Sequence, residues 1–203
     1  GKDILPRLIK SKTRVFAYPY SGYWMDVGTL ASYWQAHMDL LAPSPHLKLY
    51  NRSWIIHTRT AERPPARFPA KGKVYASMIC DGCFIEEGAT VESSVLSPGV
   101  IVRSGAVVRE SIVLTDAEIR SGAGVERSVL DKQARVEEHA RVGWGVTDQN
   151  IRIALVGKGS VVPSGYVVEP EAEIGTDVIQ SDYPDPTIRA GQVIQTKRQP
   201  NEI

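Results

Sequence analysis

From Ser77 to Val142, a small residue and an aliphatic residue recur as a pair two positions apart, and this pattern repeats without a break. The pairs are Ser77–Ile79, Cys83–Ile85, Ala89–Val91, Ser94–Leu96, Val100–Val102 and Ala106–Val108, then Ser111–Val113, Ala117–Ile119, Ala123–Val125, Ser128–Leu130, Ala134–Val136 and Ala140–Val142. Successive aliphatic members are six, six and then five residues apart, so every three steps total 17 residues. Residues two apart on a strand face the same side. Each pair therefore sends two side chains inward, the aliphatic one filling the interior and the small one leaving room near a corner. Three short strands and three corners make one triangular coil, and like residues stack from coil to coil: Ser77, Ser94, Ser111 and Ser128 in one column, Ile85, Val102, Ile119 and Val136 in another. Gly82, Gly88, Gly99, Gly105 and Gly122 fall where sharp corners are needed. Nothing recurs at three and four residues, which excludes a helical reading.

The pattern stops at Gly143 and resumes with Ala154–Val156, Ser160–Val162, Tyr166–Val168 and Ala172–Ile174. The coil is expected to run from about Val74 to Ile179, with a loop excursion near Thr147–Ile153; Tyr166 is too large for a small position, so its coil is expected to be distorted or to lie near the end. The Pro-rich stretch Ser181–Pro186 and the polar tail from Lys197 are expected to close it, because the end of a solenoid must be covered. Trp54 is expected to pack one flank. Cys80 and Cys83 have redox spacing but lack the strand-to-helix context of a redox pair and the further ligands of a zinc site, so Cys83 reads as a small core residue.

Upstream, Arg14–Tyr20 alternates like a strand. A glycine turn carrying Asp26 follows, and Thr29 caps an expected helix from Leu30 to Leu41, ended by Pro43 and Pro45. Strand, turn and capped helix suit an α/β domain. Lys plus Arg number 24 against 23 Asp plus Glu, a net charge of +1, so no field draws nucleic acid or an anionic membrane. The longest aliphatic runs are far too short to span a membrane. The first residues, GKDILPRL, lack the apolar core of a secretory signal, and a cytoplasmic location is expected.

The 17-residue coil resembles the hexapeptide-repeat, left-handed parallel β-helix of acyltransferases and sugar nucleotidyltransferases, and the handedness is taken from that resemblance. Acyltransferases place a catalytic histidine in the coils. Of the four histidines here only His139 lies among them, at a corner, where a solvated surface residue is expected. The remaining motifs resemble the glucose-1-phosphate adenylyltransferase (ADP-glucose pyrophosphorylase) family. They are Gly1–Pro6, Gly22–Thr29, Tyr33–Leu40, Leu47–Trp54, Pro64–Phe68 and Ser128–Lys132.

The resemblance implies a mainly β chain: residues 1–44 as the C-terminal remnant of an α/β nucleotidyltransferase domain, 45–73 as a linker, and 74–203 as the β-helix domain with its cap. It implies an activity that joins ATP and glucose 1-phosphate into ADP-glucose and diphosphate for glycogen or starch synthesis. Asp26 would ligate Mg2+ there, oxygen ligands being natural to that hard cation. Arg127 matches a basic position associated with binding of a small anionic effector, and guanidinium groups suit such anions, although most coil arginines read as solubilising charges. The glycine-rich nucleotide loop of the family has no counterpart in this chain, so no catalytic set is complete and no turnover is expected from it alone. Met25 stands where the family is usually basic, which leaves a non-catalytic regulatory subunit as an alternative, with a hexapeptide-repeat acyltransferase as another. Tetramers built through the β-helix are implied for the full-length family, and a homo-oligomer is expected here.

Overall fold

A computed structural model describes residues 2–58, 61–144 and 151–199. Two helices, α1 (Ile4–Lys10) and α2 (Leu30–Leu40), precede a parallel β-helix of the left-handed hexapeptide type. Its short strands stack into three sheets, two of seven strands and one of five. Every strand pairing is parallel and joins equivalent positions of neighbouring coils. Val74, Val91, Val108, Val125 and Val142 stand in register, then Val168 and Ile188 beyond the excursion.

The expected interior is the observed one. From Cys83 to Val142 every small and aliphatic member of the predicted pairs is buried. Ile119 and Val125 have no exposed surface, which confirms the register. Only the first pair, Ser77 and Ile79, is half-buried, as befits the open N-terminal end. Cys80 and Cys83 are both free thiols; Cys83 lies in the core, and burial raises its pKa.

The five-residue step has a cause that spacing alone does not reveal. At this shorter corner Ala76, Ser93, Glu110 and Arg127 all take left-handed backbone angles, φ between 40° and 48°. Side-chain-bearing residues reach this region at a cost, and the serine that follows each of them compensates. Each serine hydroxyl donates to the carbonyl two residues back: Ser77 to Tyr75, Ser94 to Glu92, Ser111 to Arg109 and Ser128 to Glu126, at 2.6–2.9 Å. The same hydroxyls accept the backbone N–H of the serine one coil on, at 3.1 Å for Ser94 and Ser111 and 3.2 Å for Ser128. Ser94, Ser111 and Ser128 are fully buried, so the column satisfies corner groups that would otherwise be desolvated without partners. At the other corners Gly99 (φ 79°) makes the turn freely, while Asp116 and Gln133 make it one and two coils on, and His139 makes it in the column of Gly122. His139 is exposed there, as expected.

Each end is partly covered. Within the stretch expected as linker, Arg67 bridges to Phe84, donating to the Cys83 carbonyl at 2.9 Å and accepting from the Ile85 amide at 3.0 Å. Gly82 donates to the Pro64 carbonyl, and Arg63 holds Asp116 through two bonds of 2.7 and 2.9 Å. The Pro64–Phe68 motif thus occupies the first free edge of the five-stranded sheet. At the other end the expected limit at Ile179 is too short. After a 3-10 turn, Gln180–Asp182, the coil resumes with Thr187–Ile188 and Val193–Ile194. These strands escape the small–aliphatic rule because Pro186 and Gln192 fill their small positions, where both are exposed rather than enclosed. Asp182 is buried, its carboxylate accepting from the Ile179 and Lys197 amides at 2.9 and 3.0 Å. The Tyr183 hydroxyl donates to the Val161 carbonyl, and its ring meets Tyr166 edge-on. Tyr166 is half-buried, and Val167–Val168 after it keep the regular ladder on both sides.

Two expectations upstream of the coil fail. Arg14–Tyr20 forms no strand and is exposed throughout; a strand needs a paired neighbour, and no described segment lies alongside it. Trp54 is 78% exposed rather than packed on a flank. Of the predicted excursion, residues 147–150 lie outside the described residues, and Ile151–Ile153 lead without regular structure into the strand Ala154–Val156.

Ser111→Ala removes a hydroxyl that serves two backbone groups inside the coil. A loss of about 1–3 kcal/mol is expected, read as a lower midpoint of urea unfolding followed by circular dichroism, without loss of the β signal at zero urea.

Candidate functional site

The Asp26 turn is positioned by the helix that follows it. The Thr29 hydroxyl accepts from the Ser32 amide at 3.1 Å, and the Ser32 hydroxyl accepts from the Thr29 amide at 3.1 Å. This reciprocal cap sets the start of α2, which ends at Leu40, one residue before the expected limit. Two residues upstream of Gly28, the Asp26 carboxylate accepts the Gly28 amide at 3.2 Å and is otherwise open to solvent. The other acid of this segment, Asp39, is committed elsewhere. It accepts from the Tyr23 hydroxyl and from the Gln35 carboxamide, each at 2.8 Å. That bond raises the pKa of the Tyr23 hydroxyl.

Magnesium takes several oxygen ligands. Among the described residues no group of three or more His, Cys, Asp or Glu side chains is placed to hold a metal ion. Asp26 can therefore supply one ligand, and the residues described do not by themselves complete a magnesium site.

Helix α2 is fastened to the β-helix through Trp34. The indole Nε1 donates to the Glu110 carbonyl at 2.6 Å, and the ring packs with Ile112, Val129 and Ile153. Leu30, Tyr33 and Met38 extend this face against Leu114 and Leu155. The helix is expected from the sequence, but the seat of Trp34 on the coil is not. A signal for it existed. Ile112, Leu114, Val129 and Leu155 point outward from one sheet by parity, and four such aliphatics on a solenoid face require a cover.

Arg127, the expected effector residue, lies at the short corner with φ 40°, and its Nε meets the Glu110 carboxylate at 2.5 Å. Glu110 thus holds Arg127 with its side chain and Trp34 with its carbonyl. The other arginines are also engaged along the coil. Arg103 bridges Glu86 and Glu118 at 2.8 and 2.7 Å, and this contact lowers the pKa of Glu86. Arg109 pairs with Glu92, Arg120 with Glu118 and Glu137, and Arg135 with Glu137. Arg141 donates to the Gly122 carbonyl and lies over the Trp144 ring. They form mixed-charge ladders rather than a basic stripe.

Comparison with known proteins agrees with this two-part arrangement. Residues 1–42 match the nucleotidyl transferase family, and residues 64–163 match the family described as GlmU-like, C-terminal hexapeptide. Residues 1–42 are thus similar to a nucleotidyl transferase segment, and the coil that follows is of the hexapeptide type. Similar curated proteins include glucose-1-phosphate adenylyltransferases. That of Geobacillus stearothermophilus is 45% identical over 94 residues, 46% of this chain and 24% of the relative. That of Thermomicrobium roseum is 47% identical over 85 residues, 42% of this chain and 20% of the relative. That of Bacillus mycoides is 43% identical over 101 residues, 45% of this chain and 27% of the relative. The chain thus spans about a quarter of the length of the curated relatives it matches. Among the described residues, no helix is long and apolar enough to cross a membrane.

Trp34→Ala should free α2 while leaving the coil folded. A docking loss on the order of 3–5 kcal/mol is expected, seen as faster hydrogen exchange across Leu30–Leu40 with unchanged exchange in the strands around Val125. Unaltered protection of α2 would show that the indole does not fasten it.

Proposed function

We propose that this chain works within a glucose-1-phosphate adenylyltransferase, which converts ATP and α-D-glucose 1-phosphate into ADP-glucose and diphosphate in the cytoplasm. The observation that carries the reading is the succession of a nucleotidyl transferase match at residues 1–42 and a hexapeptide match at 64–163, physically joined by Trp34. In this reading the chain supplies one edge of the catalytic site, and the β-helix serves assembly and allosteric regulation. Asp26 is one ligand of Mg2+, whose role is to offset charge on the phosphates during transfer. Its open carboxylate, held by a turn on a capped helix, supports that assignment.

Arg127 takes part in binding a small anionic effector. Its pairing with Glu110 supports this role, because Glu110 also holds the indole that anchors the nucleotidyltransferase segment. An anion competing for Arg127 would act one residue away from that anchor.

In the protein carrying the whole nucleotidyltransferase domain, Asp26→Asn should lower magnesium-dependent turnover strongly while leaving the unfolding midpoint nearly unchanged. Near-normal turnover would remove Asp26 from the metal site.

The chain also associates with itself, most simply as a two-fold dimer using one patch twice and burying about 1,000 Å² or more through the β-helix. Sedimentation at micromolar concentration should show a species of twice the chain mass. A single species near the 22.3 kDa of one chain would refute the assembly.

A further inference from the structure

The segment that carries Asp26 is held at both ends by the helix that follows it. Residues 21–28 form no regular secondary structure, and the large apolar side chains of Trp24 and Val27 are exposed. Burial therefore does little to fix its path. Its downstream end is fixed by the reciprocal cap of Thr29 and Ser32 on the first turn of α2. Its upstream end reaches the last turn, where the Tyr23 hydroxyl donates to Asp39 Oδ2 at 2.8 Å. The Tyr23 ring also lies nearly parallel to that of His46, just beyond the helix, with 6.1 Å between centroids. The chain from Tyr23 to Thr29 thus runs back along α2 from its last turn to its first.

Asp39 stands where helix energetics disfavour an acid. A carboxylate in the last turn faces the negative end of the helix dipole, so the stability of α2 alone gives no reason for it. Both of its oxygens are committed: Oδ2 to Tyr23, and Oδ1 to the Gln35 carboxamide one turn earlier, each at 2.8 Å. Gln35 fixes the plane of the carboxylate, and the carboxylate then fixes the tyrosine. The helix itself is seated on the coil through Trp34, which meets the Glu110 carbonyl, Ile112 and Val129. A continuous series of contacts therefore leads from the coil to the Asp26 turn.

We propose that Asp39 is a positioning residue: through the Tyr23 hydroxyl it fixes the turn that presents the Asp26 carboxylate. The consequence for turnover rests on the reading of Asp26 as a metal ligand. With the tether cut, the turn samples other paths, and the fraction of molecules with Asp26 in place falls. The apparent affinity for the ion falls with that fraction, while the rate at saturating ion is kept.

Three substitutions test it. Tyr23→Phe removes the hydroxyl and keeps the ring, Asp39→Ala cuts the tether from the other side, and Asp39→Asn removes the charge but keeps an oxygen able to accept from Tyr23. In the 15N-labelled chain, the Gly28 amide, which donates to Asp26 at 3.2 Å, should shift in Tyr23→Phe and in Asp39→Ala. The Ser32 amide and Trp34 indole resonances should stay in place, certifying the cap and the seat of the helix. In the protein carrying the whole nucleotidyltransferase domain, both variants should raise the magnesium concentration for half-maximal rate roughly tenfold, the factor expected when one hydrogen bond to a charged group is lost. The kcat at saturating magnesium should change little. The double variant should be no worse than either single one, and Asp39→Asn should stay near the parent. An unmoved Gly28 amide overturns the tether, whatever ion Asp26 binds. A moved amide with an unchanged magnesium requirement overturns the positioning role and leaves the metal assignment to Asp26→Asn. Equal harm from Asp39→Asn and Asp39→Ala also overturns it, because the charge and not the bond would then be acting.

Discussion

Each coil passes its backbone hydrogen bonds to the next, and the triangle this creates admits little more than one aliphatic and one small side chain on each face. Everything else in the molecule answers to that confinement. A fully buried valine, leucine or isoleucine contributes about 1.5–3 kcal/mol, but only if coils above and below exclude water from it. Burial is therefore shared between neighbours, and an uncovered end weakens the whole stack. The chain meets this need twice by different means: a proline-led segment laid on the first edge, and a buried aspartate with a tyrosine beneath the last coils.

The coil was legible in the sequence because its rule is local. Residue size at every second position and one shortened step in three suffice to mark the inside and the corners. Where size ceased to be restrictive, the rule lost its mark. Ile188 and Ile194 are interior residues, yet Pro186 and Gln192 precede them, and the sequence pattern alone placed the end of the coil before them. The serine column was visible as a repeated letter. Its hydrogen bonds were not, since they follow from left-handed corners at Ser93, Glu110 and Arg127, residue types that carry no sign of that backbone.

The segment before the coil was harder to read because its residues depend on distant partners. Alternation at Arg14–Tyr20 resembles a strand, but a strand exists only beside another. Choosing between tryptophans needed the outward face of a sheet as well as the helix: Trp34 has four aliphatics awaiting it, whereas Trp54 has none. The helix cap at Thr29, a purely local device, was readable and is present. Asp26 and Arg127 could be picked out only by resemblance, since an exposed carboxylate in a turn and an arginine in a charge ladder are commonplace when taken alone.

The break in the repeat has a mechanical meaning. Ser128 and Ala154 are neighbours in the ladder although 26 residues separate them, against 17 for Ser111 and Ser128. Extra chain has been spliced in without altering the rise from one coil to the next. The solenoid therefore behaves as a graduated scale, with divisions of about 4.8 Å, along which sequence can be added sideways at a corner or lengthwise as a whole turn. Because α2 is seated on the coils of Ile112, Val129 and Leu155, with its indole on the Glu110 carbonyl, whole turns added beyond Ile194 would extend the far end while leaving the seat of the helix where it is.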